Sequence, residues 1–525
     1  MDKFIHFQLS FSATTGNLKT RIRHFCEDGY EYKYISYFYT MTNNLLAKGI
    51  SKEEIFNQLR KKQEQDFDWR TGRIFCSVYP AGKEIEEIAK EAYSMFLTEN
   101  PVDPTLFPSL RDMETEVVAM CSEVLQGGPN AVGSLTTGGT ESILLAIKTA
   151  KNRAKALNPS QTEFEIIIPY SIHSAFFKAC DYFEVTPVVI PLTEDYKADA
   201  KAVENAITKN TILIAASAPS YVFGVVDPIK EIGKLALEKD ILLHVDACIG
   251  GVVLGFNRLA GLENVPEFDF SVPGVTSISM DLHKYGYTAK GCSVLMHKDK
   301  TYRKHQYYAC SEWTGYTLVN PTILSTKTGG PIAAAWAVMK FLGLDGYCDI
   351  SRKTMNTTAR FIAGINAIDG LKVVGNPEVS LFSFTTTKGN PYDLFDELNE
   401  KGWFVQFQLS NDYCAANLHL TVSKIHEHLV DEFLVDLKIC FEKVQKKGMV
   451  KKATEKVTIE AVKKLAQNLS PENFDKLGKM LGFSNGSVPD KLALINRIMD
   501  VLPPDTVRNT LIDYMNDFYT FEVER

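Results

Sequence analysis

The sequence lacks paired cysteines, long apolar runs and an excess of positive charge. Its ten cysteines are scattered and never form C-x-x-C, so neither a disulfide framework nor a zinc site is indicated. No apolar run approaches the ~18 residues that cross a bilayer, and the first residues are too polar for a secretory signal. The net charge of -7 gives no electrostatic case for binding nucleic acid or an anionic membrane. These absences predict a cytoplasmic protein with reduced thiols and no membrane span.

The pattern of apolar residues predicts several domains within the 525-residue chain. Short β-branched runs alternate with amphipathic helices from about residue 75 to 340, which is typical of an α/β domain with a mainly parallel sheet. We expect four regions: an N-terminal helical segment (1–74), a large α/β domain (75–340), a smaller α+β domain (341–447) and a C-terminal helical extension (448–525).

The segment GSLTTGGTES, which leads directly into an amphipathic helix, is suited to bind phosphate. Gly138 and Gly139 allow the backbone to approach a ligand closely, and Thr140 adds a hydroxyl. The free N–H groups and the positive dipole end of the helix N-terminus attract an anion. Taken alone, such a turn is more often an ordinary helix start than a binding site.

Three further polar residues stand where a ligand could meet them. Asp246 follows the apolar run ILLHV, and in an open α/β sheet the carboxyl end of a strand faces the ligand crevice. His173 follows the strand-like run EIIIP, and Lys284 lies beside His283 in SISMDLHKYGYTAKG. Each also has an ordinary interpretation. Asp246 can be a loop acid with its hydrogen bonds made, His173 a histidine that caps a helix, and Lys284 a surface cation.

Together, these features describe a site for pyridoxal 5′-phosphate (PLP). Lys284 would bond to the cofactor's aldehyde, which requires an uncharged amine. Asp246 would pair with the pyridine nitrogen, so that the ring accepts the electrons released when a bond at the substrate's α-carbon breaks. His173 would cover the ring face, and His283 would reach the phosphate or the ring.

The same segments resemble the group II PLP-dependent decarboxylases, and within them the sphingosine-1-phosphate lyase branch of the soluble bacterial type. The resemblance rests on TTGGTES, HVDACIGG and SISMDLHKYGYTAKG. The lyase branch is further supported by VYPAGKEIEEIAKEAYSMFLTENPVDPTLFPSLRDMETEVVAM, GNPEVSLFSF and LNEKGWFVQFQ. The resemblance covers roughly residues 70–445. It implies the PLP-dependent transferase type I fold and a homodimer whose active site is shared at the subunit interface.

The resemblance also implies roles for single residues. The implied catalytic residues are Lys284, His173, Asp246, Tyr79 and Lys290. The implied cofactor-binding residues are Gly138, Gly139, Thr140, His173, Asp246, Ser279, His283, Lys284, Gly329 and Gly330. Of these, the Gly329–Gly330 pair is expected to reach the phosphate held by the partner subunit.

Three positions depart from the lyase pattern. The lyases carry N-P-[LV]-H-P where this chain has NPVDP, so Asp103 replaces a histidine. They carry W-x-G-G-x-Y-x-x-P-T where this chain has WTGYTLVNPT, so Tyr316 replaces a glycine and Leu318 a tyrosine. In the lyases these positions serve substrate phosphate binding or proton transfer. We therefore expect Asp103 to disfavour a phosphorylated substrate, unless it is protonated or neutralised by a cation such as Lys290.

Three functions fit this sequence. The first is a carbon–carbon lyase that cleaves a small-molecule amino alcohol, expected to be phosphorylated, to an aldehyde and an amine in a retro-aldol reaction. The second is an amino-acid decarboxylase, because PLP labilises whichever α-carbon bond the site holds perpendicular to the ring. The third is a PLP-fold protein without activity, which the presence of Lys284, Asp246 and His173 disfavours. The released product, an aldehyde or carbon dioxide, distinguishes the first two.

Overall fold

The computed structural model describes residues 46, 48–446 and 492–520, in two compact units. The first unit comprises residues 1–66 and 521–525. Its described part contains one helix, α1 (Lys52–Gln63), whose N-terminus is capped by the Ser51 hydroxyl. The expectation of a helical segment over 1–74 otherwise falls largely outside the described residues. The second unit, residues 67–520, contains the remaining elements.

A seven-stranded sheet forms the centre of the second unit. Its strands are β1 (Val132–Thr136), β2 (Glu165–Pro169), β3 (Thr186–Ile190), β4 (Thr211–Ser217), β5 (Leu242–Asp246), β6 (Val275–Met280) and β7 (Ser293–His297). The spatial order is β1-β7-β6-β5-β4-β2-β3. The run from β3 to β6 is parallel, and only β7 pairs antiparallel with its neighbours. This confirms the mainly parallel sheet that the β-branched runs predict.

Helices precede the first strand and alternate with most of the strands along the chain. They are α2 (Lys83–Met95), α3 (Pro108–Val124), α4 (Gly139–Leu157), α5 (Ala175–Phe183), α6 (Ala200–Ala206), α7 (Ile229–Glu238), α8 (Gly250–Leu259) and α9 (Lys300–Arg303). The amphipathic pattern of α4 shows how they bind the sheet. Ile143 and Ile147, four residues apart, share one buried core with Ile166 and Ile168 of β2. Full burial of each such side chain stabilises the fold by about 1.5–3 kcal/mol.

A second, antiparallel sheet follows. Its strands are β10 (Leu371–Val373), β11 (Leu381–Thr386), β12 (Gln406–Gln408) and β13 (Asn417–Thr421), in the order β10-β11-β13-β12. Helices α11 (Pro391–Glu400) and α12 (430–446) accompany it. A short hairpin of β8 (Tyr308–Cys310) and β9 (Leu318–Asn320) lies between the two sheets in the chain. The smaller α+β unit is thereby confirmed.

Phe75 and one long helix link the first sheet to the core of the second. Phe75, which precedes the first sheet, is fully buried in the core of the second and stacks on His426 with ring centroids 4.4 Å apart. Helix α10 (Gly330–Asn366) runs past the expected domain boundary at 340/341, with a break at Gly343, whose φ is 55°. Ile332 belongs to the first core and Phe361 to the second. The four domain boundaries remain predictions.

The described part of the C-terminal extension consists of two helices, α13 (Ala493–Met499) and α14 (Pro504–Phe518). The carboxylate of Asp396 in α11 accepts the N–H groups of Leu492 and Ala493, at 2.9 and 3.2 Å. The extension's other expected helices, within 447–491, lie outside the described residues. In the ranges that the structure describes, no helix combines the length and the apolarity that crossing a membrane needs.

Candidate active site

The carboxyl ends of the neighbouring strands β5 and β6 bring Asp246 and Ser279 together. Asp246, the last residue of β5, lies opposite Ser279 in the parallel register. Only 8% of Asp246 is exposed, and its Oδ1 accepts hydrogen bonds from Ser279 Oγ (3.3 Å) and from the N–H of Cys248 (3.1 Å). A buried carboxylate is therefore fixed at the carboxyl end of a central strand, where the sequence predicts the partner of the ring nitrogen.

Lys284 lies in the turn after β6 and forms an ion pair with Asp281. Its Nζ is 2.9 Å from Asp281 Oδ2, and Asp281 is 1% exposed. Burial by itself lowers the pKa of Lys284, but the Asp281 carboxylate outweighs it and raises that pKa above its usual value. Burial likewise opposes the charge of Asp281, while Lys284 holds its pKa below normal. Asp281 has no role among the residues predicted from the sequence, although the i, i+3 spacing of this acid and Lys284 is a signal that the sequence contains.

His283 lies beside this pair and points one ring nitrogen at it. Its Nδ1 accepts the N–H of Cys292 at 3.2 Å, and its Nε2 is 3.7 Å from Asp281 Oδ2. Burial lowers the pKa of His283 despite the nearby carboxylate. The neutral ring therefore carries its proton on Nε2, which makes that nitrogen a hydrogen-bond donor.

The glycine loop before α4 packs against these side chains. A Cβ added at Gly139 would lie 2.7 Å from both Asp281 Oδ2 and Cys248 Sγ, so only glycine fits. A Cβ at Gly138, whose φ is 156°, would lie 3.6 Å from His283 Cε1. The first N–H groups of α4, with the exposed Thr140, thus lie next to the Lys284 turn. This is the backbone cradle that a phosphate requires.

Glu141 holds the cradle in place, which the sequence did not indicate. Its Oε2 accepts the N–H and the hydroxyl of Thr137, at 2.6 and 2.7 Å, and its Oε1 accepts the N–H of Ile323 at 2.6 Å. The glutamate is 7% exposed. From sequence, an acid in the first turn of a helix indicates only a favourable dipole interaction.

His173 also follows the carboxyl end of a strand, β2, and lies just before α5. Its ring is exposed, and Nδ1 accepts the N–H of Ala175 at 3.2 Å. The strand that precedes it, β2, is separated from β5 by β4 alone. Its stacking on a cofactor ring remains a prediction.

Tyr79 and Lys290 are neighbours on the other side of the Lys284 turn. Lys290 Nζ lies 4.8 Å from the centroid of the Tyr79 ring and 3.4 Å from the carbonyl oxygen of His283. Burial, with the positive charge of Lys284, lowers the pKa of Lys290 to about 8. Burial raises the pKa of Tyr79 to about 12. Both shifts favour the uncharged form of the side chain.

A cavity of about 830 Å³ opens beside these two residues. His283, Tyr79 and Lys290 line one part of it, and apolar side chains of α2, including Ile85 and Ala89, line another. The Lys290 side chain opens into this cavity, but the protein around it still removes enough water to disfavour its charge. A substrate with an apolar portion can therefore lie next to the Lys284 turn.

The Gly329–Gly330 pair packs tightly within its own chain. The N–H of Gly329 donates to Glu99 O at 2.8 Å, and a Cβ at Gly330 would lie 2.8 Å from the Tyr93 ring. The contact expected with a partner's phosphate remains a prediction.

The three positions that depart from the lyase pattern lie on exposed turns and on the hairpin. Asp103 Oδ1 accepts the N–H and hydroxyl of Thr105, at 2.9 and 2.6 Å, and these bonds hold the pKa of Asp103 below its usual value. Tyr316 is exposed, and Leu318 is half-buried in β9. Among the described residues, no hydrogen bond or ion pair joins these three to Lys284. Their substrate roles remain predictions.

The fold and this cluster define a class of protein, the PLP-dependent enzymes of the type I fold. The chemistry of the residues fits the cofactor in detail. Gly139 lets the loop pack against Asp281 and Cys248, where any Cβ would clash, and the buried Asp246 carboxylate lies at the end of the neighbouring strand β5. Gly139, Thr140 and His283 would hold the phosphate and Asp246 would pair with the ring nitrogen, and these assignments remain predictions. When bound, PLP supplies an electron sink for bond cleavage at the α-carbon.

Comparisons with known proteins agree with this class. The family model described as "Pyridoxal-dependent decarboxylase conserved domain" matches residues 46–387, and "Pyridoxal-dependent enzyme, C-terminal putative HTH domain" matches 457–517. Sphingosine-1-phosphate lyase of Oryza sativa subsp. japonica is 40% identical over 408 residues, covering 76% of this chain and 74% of that protein. A probable L-tyrosine/L-aspartate decarboxylase of Methanothermobacter thermautotrophicus is 35% identical over 339 residues, 64% of this chain and 89% of that protein.

A solved structure is similar over nearly its full length. The sphingosine-1-phosphate lyase Bpss2021 of Burkholderia pseudomallei aligns with a TM-score of 0.72 and 31% identity, covering 85% of this chain and 99% of that one. The chain belongs to the pyridoxal-dependent decarboxylase family. It is a PLP-dependent carbon–carbon lyase, and its cofactor is pyridoxal 5′-phosphate.

Proposed function

We propose that this lyase cleaves an amino alcohol with an apolar chain, breaking the bond between the amine-bearing carbon and the carbinol carbon. The products are an aldehyde and an amine. The observation that carries the proposal is the approximately 830 Å³ cavity, which joins apolar walls to Tyr79, Lys290 and the Lys284 turn. The rice and Burkholderia relatives, whose names specify a phosphorylated amino alcohol of this kind, support it.

The side chains suit the proton transfers of such a cleavage. The carbinol hydroxyl must lose a proton, and the α-carbon must gain one. Lys290, with a pKa of about 8, is partly neutral near neutral pH and can accept the hydroxyl proton. Tyr79, with a pKa of about 12, stays protonated and can donate a hydrogen bond. Lys284 attaches the cofactor, and Asp246 and His173 hold its ring.

We extend the proposal to assembly and location: a homodimer with a shared active site, in the cytoplasm. The start of α10, with Gly329 and Gly330, is the segment expected to contribute to the partner's site. All nine cysteines in the described residues are free, which suits a reducing compartment.

Product analysis of the PLP-loaded protein tests the proposal. The enzyme is incubated with long-chain amino alcohols, with and without a phosphate, and with amino acids, and both aldehyde and carbon dioxide are measured. We expect aldehyde from an amino alcohol and no carbon dioxide. Lys284→Ala should lose the reaction and the borohydride-fixable cofactor, whereas the exposed Lys300→Ala should keep both. Carbon dioxide from an amino acid, without aldehyde, would establish the decarboxylase alternative instead.

A further inference from the structure

Asp281 lies where Lys284, His283 and the glycine loop before α4 meet. Its Oδ2 is 2.9 Å from Lys284 Nζ and 3.7 Å from His283 Nε2. A Cβ on Gly139 would lie 2.7 and 2.9 Å from its two carboxylate oxygens. The carboxylate thus touches the lysine, the histidine and the phosphate cradle at once.

The surroundings of Asp281 make its charge depend on Lys284. Asp281 is 1% exposed, and within the described part of the chain its Oδ1 lacks a hydrogen-bond partner. The nearby Ser293 hydroxyl, which donates to Met280 O at 3.2 Å, also helps to hold the pKa of Asp281 down, but it contributes less than Lys284 does. A buried carboxylate with so few donors is costly unless a cation is paired with it.

The other groups that face Lys284 do not replace this pairing. Burial raises the pKa values of Cys248 and Tyr79, so both stay uncharged. Burial lowers the pKa of His283, and Lys290 is a second cation that repels the first. In the cofactor-free chain, Asp281 is therefore the group that holds Lys284 as an ammonium.

We propose that Asp281 is a positioning residue that restrains Lys284 until the cofactor arrives, and that breaking this ion pair limits the rate of cofactor attachment. The inference rests on the role given to Lys284 under the proposed function. The Lys284 ammonium first releases one proton to solvent. The neutral nitrogen then bonds to the aldehyde carbon, and the aldehyde oxygen leaves as water.

The test uses the cofactor-free full-length protein and the variant Asp281→Asn, which keeps the size of the side chain. Acetylation of Lys284 by acetic anhydride is followed by mass spectrometry between pH 7 and pH 10, and PLP attachment is followed by absorbance. We expect wild-type Lys284 to be acetylated slowly throughout, with the rate still rising at the top of the range. In Asp281→Asn, both acetylation at pH 8 and the rate of PLP attachment should rise by about tenfold or more, because one pKa unit changes the neutral fraction tenfold.

Controls separate this inference from the proposed function. Asp436→Asn removes an acid that pairs with Lys401 at 3.2 Å in the second sheet's half of the unit, and should leave Lys284 acetylation unchanged. Unchanged acetylation and attachment in Asp281→Asn would overturn the restraint, as would loss of attachment in a folded variant. If Asp281→Asn does not fold, the wild type alone still tests the restraint. Acetylation of wild-type Lys284 whose rate levels off below pH 9 would overturn it. Covalent PLP in Lys284→Ala would instead refute the site assignment itself.

Discussion

Gly139 is the residue at which the cradle and the Lys284 turn are in closest contact. We predict that Gly139→Ala weakens PLP binding by about tenfold or more, because the methyl group would displace Asp281 and Cys248 by overlapping with both. Equilibrium titration of the cofactor-free variant measures this. Gly346→Ala within α10, where the nearest side chain is the flexible Leu342, should bind PLP like the wild type. Normal affinity in Gly139→Ala would show that the cradle is not the phosphate site.

At the same scale, we expect Asp103 to influence how the lyase treats a phosphate on its substrate. The bonds from Thr105 keep the carboxylate ionised, and no ion pair neutralises Asp103 among the described residues. A substrate phosphate brought next to this carboxylate would be repelled by it, although exposure of Asp103 to water weakens the repulsion.

We predict that Asp103→His and Asp103→Asn both raise kcat/KM for a phosphorylated amino alcohol and leave the unphosphorylated one unchanged. Asparagine removes the charge while its oxygen can still accept the Thr105 N–H. Asp103→Asn therefore separates the effect of removing the charge from the effect of disrupting the turn at Thr105. Adding Leu318→Tyr to Asp103→His should raise kcat/KM further. Efficient turnover of the phosphorylated substrate by wild type, slowed by both changes at Asp103, would rule out repulsion.

At the scale of elements, the C-terminal helices are docked on α11 rather than appended loosely. Arg497 of α13 is 8% exposed and pairs with Asp393 of α11. Just beyond α13, Asp500 accepts the N–H and hydroxyl of Ser410, at 2.6 and 2.7 Å. These bonds bind the helices to the second sheet's half of the unit, far along the chain from Lys284.

We predict that Arg497→Ala lowers the free energy of unfolding by about 2 kcal/mol, the range of a hydrogen bond to a charged group. PLP attachment to Lys284 should be unchanged, because none of the proposed site residues belongs to the extension. Denaturant unfolding and cofactor absorbance measure the two effects. Arg508→Ala, which removes an exposed pair with Asp505 in α14, is the control and should change neither. Loss of PLP attachment in Arg497→Ala would show that the extension supports the site.

At the scale of the whole molecule, the proposed dimer makes a prediction about mixed chains. Lys284→Ala and Gly329→Ala chains are co-expressed with different tags, and the mixed dimer is isolated. If the start of α10 serves the partner's site, one of the two sites in the mixed dimer has both wild-type residues and is active. Each parent dimer should be impaired. A mixed dimer as inactive as the Lys284→Ala parent, or an active monomer by light scattering, would contradict the shared site.

The stability of the whole fold should depend on pH through its buried histidines. Burial lowers the pKa of His244, His297 and His426 to about 4, and that of His419 to about 3. In the unfolded chain a histidine has a pKa near 6.5, so below that value the unfolded state binds more protons. Stability is therefore complete above pH 6.5 and is lost as the pH falls towards 4, by about 1 kcal/mol per histidine and pH unit.

The matched variants for this prediction are His426→Gln and His428→Gln, two residues apart in one short turn. His426 is buried and His428 exposed. Denaturant unfolding between pH 7.5 and pH 5 should show a smaller loss of stability in His426→Gln than in wild type, and an unaltered loss in His428→Gln. Equal pH dependence in all three proteins would refute the role of burial.

The sequence by itself determined the mainly parallel sheet and the chemistry of the proposed site. Strands buried on both faces require continuous β-branched runs, so β4, β5 and β6 are visible as local patterns. Asp246, Lys284 and the glycine loop could be proposed as site residues from the sequence because each residue type has few alternatives in PLP chemistry, and because their local motifs resemble those of one family.

Only the tertiary structure decided the partners of these residues. Glu141 binds the N–H of Ile323, 182 residues away, and Phe75 joins a core built mainly from residues after 360. Such pairings depend on how the sheets pack, which no local pattern encodes. The same holds for charge: Asp281 and Lys284 are near in sequence, but the burial that makes each depend on the other comes from the glycine loop and the strands folded around them.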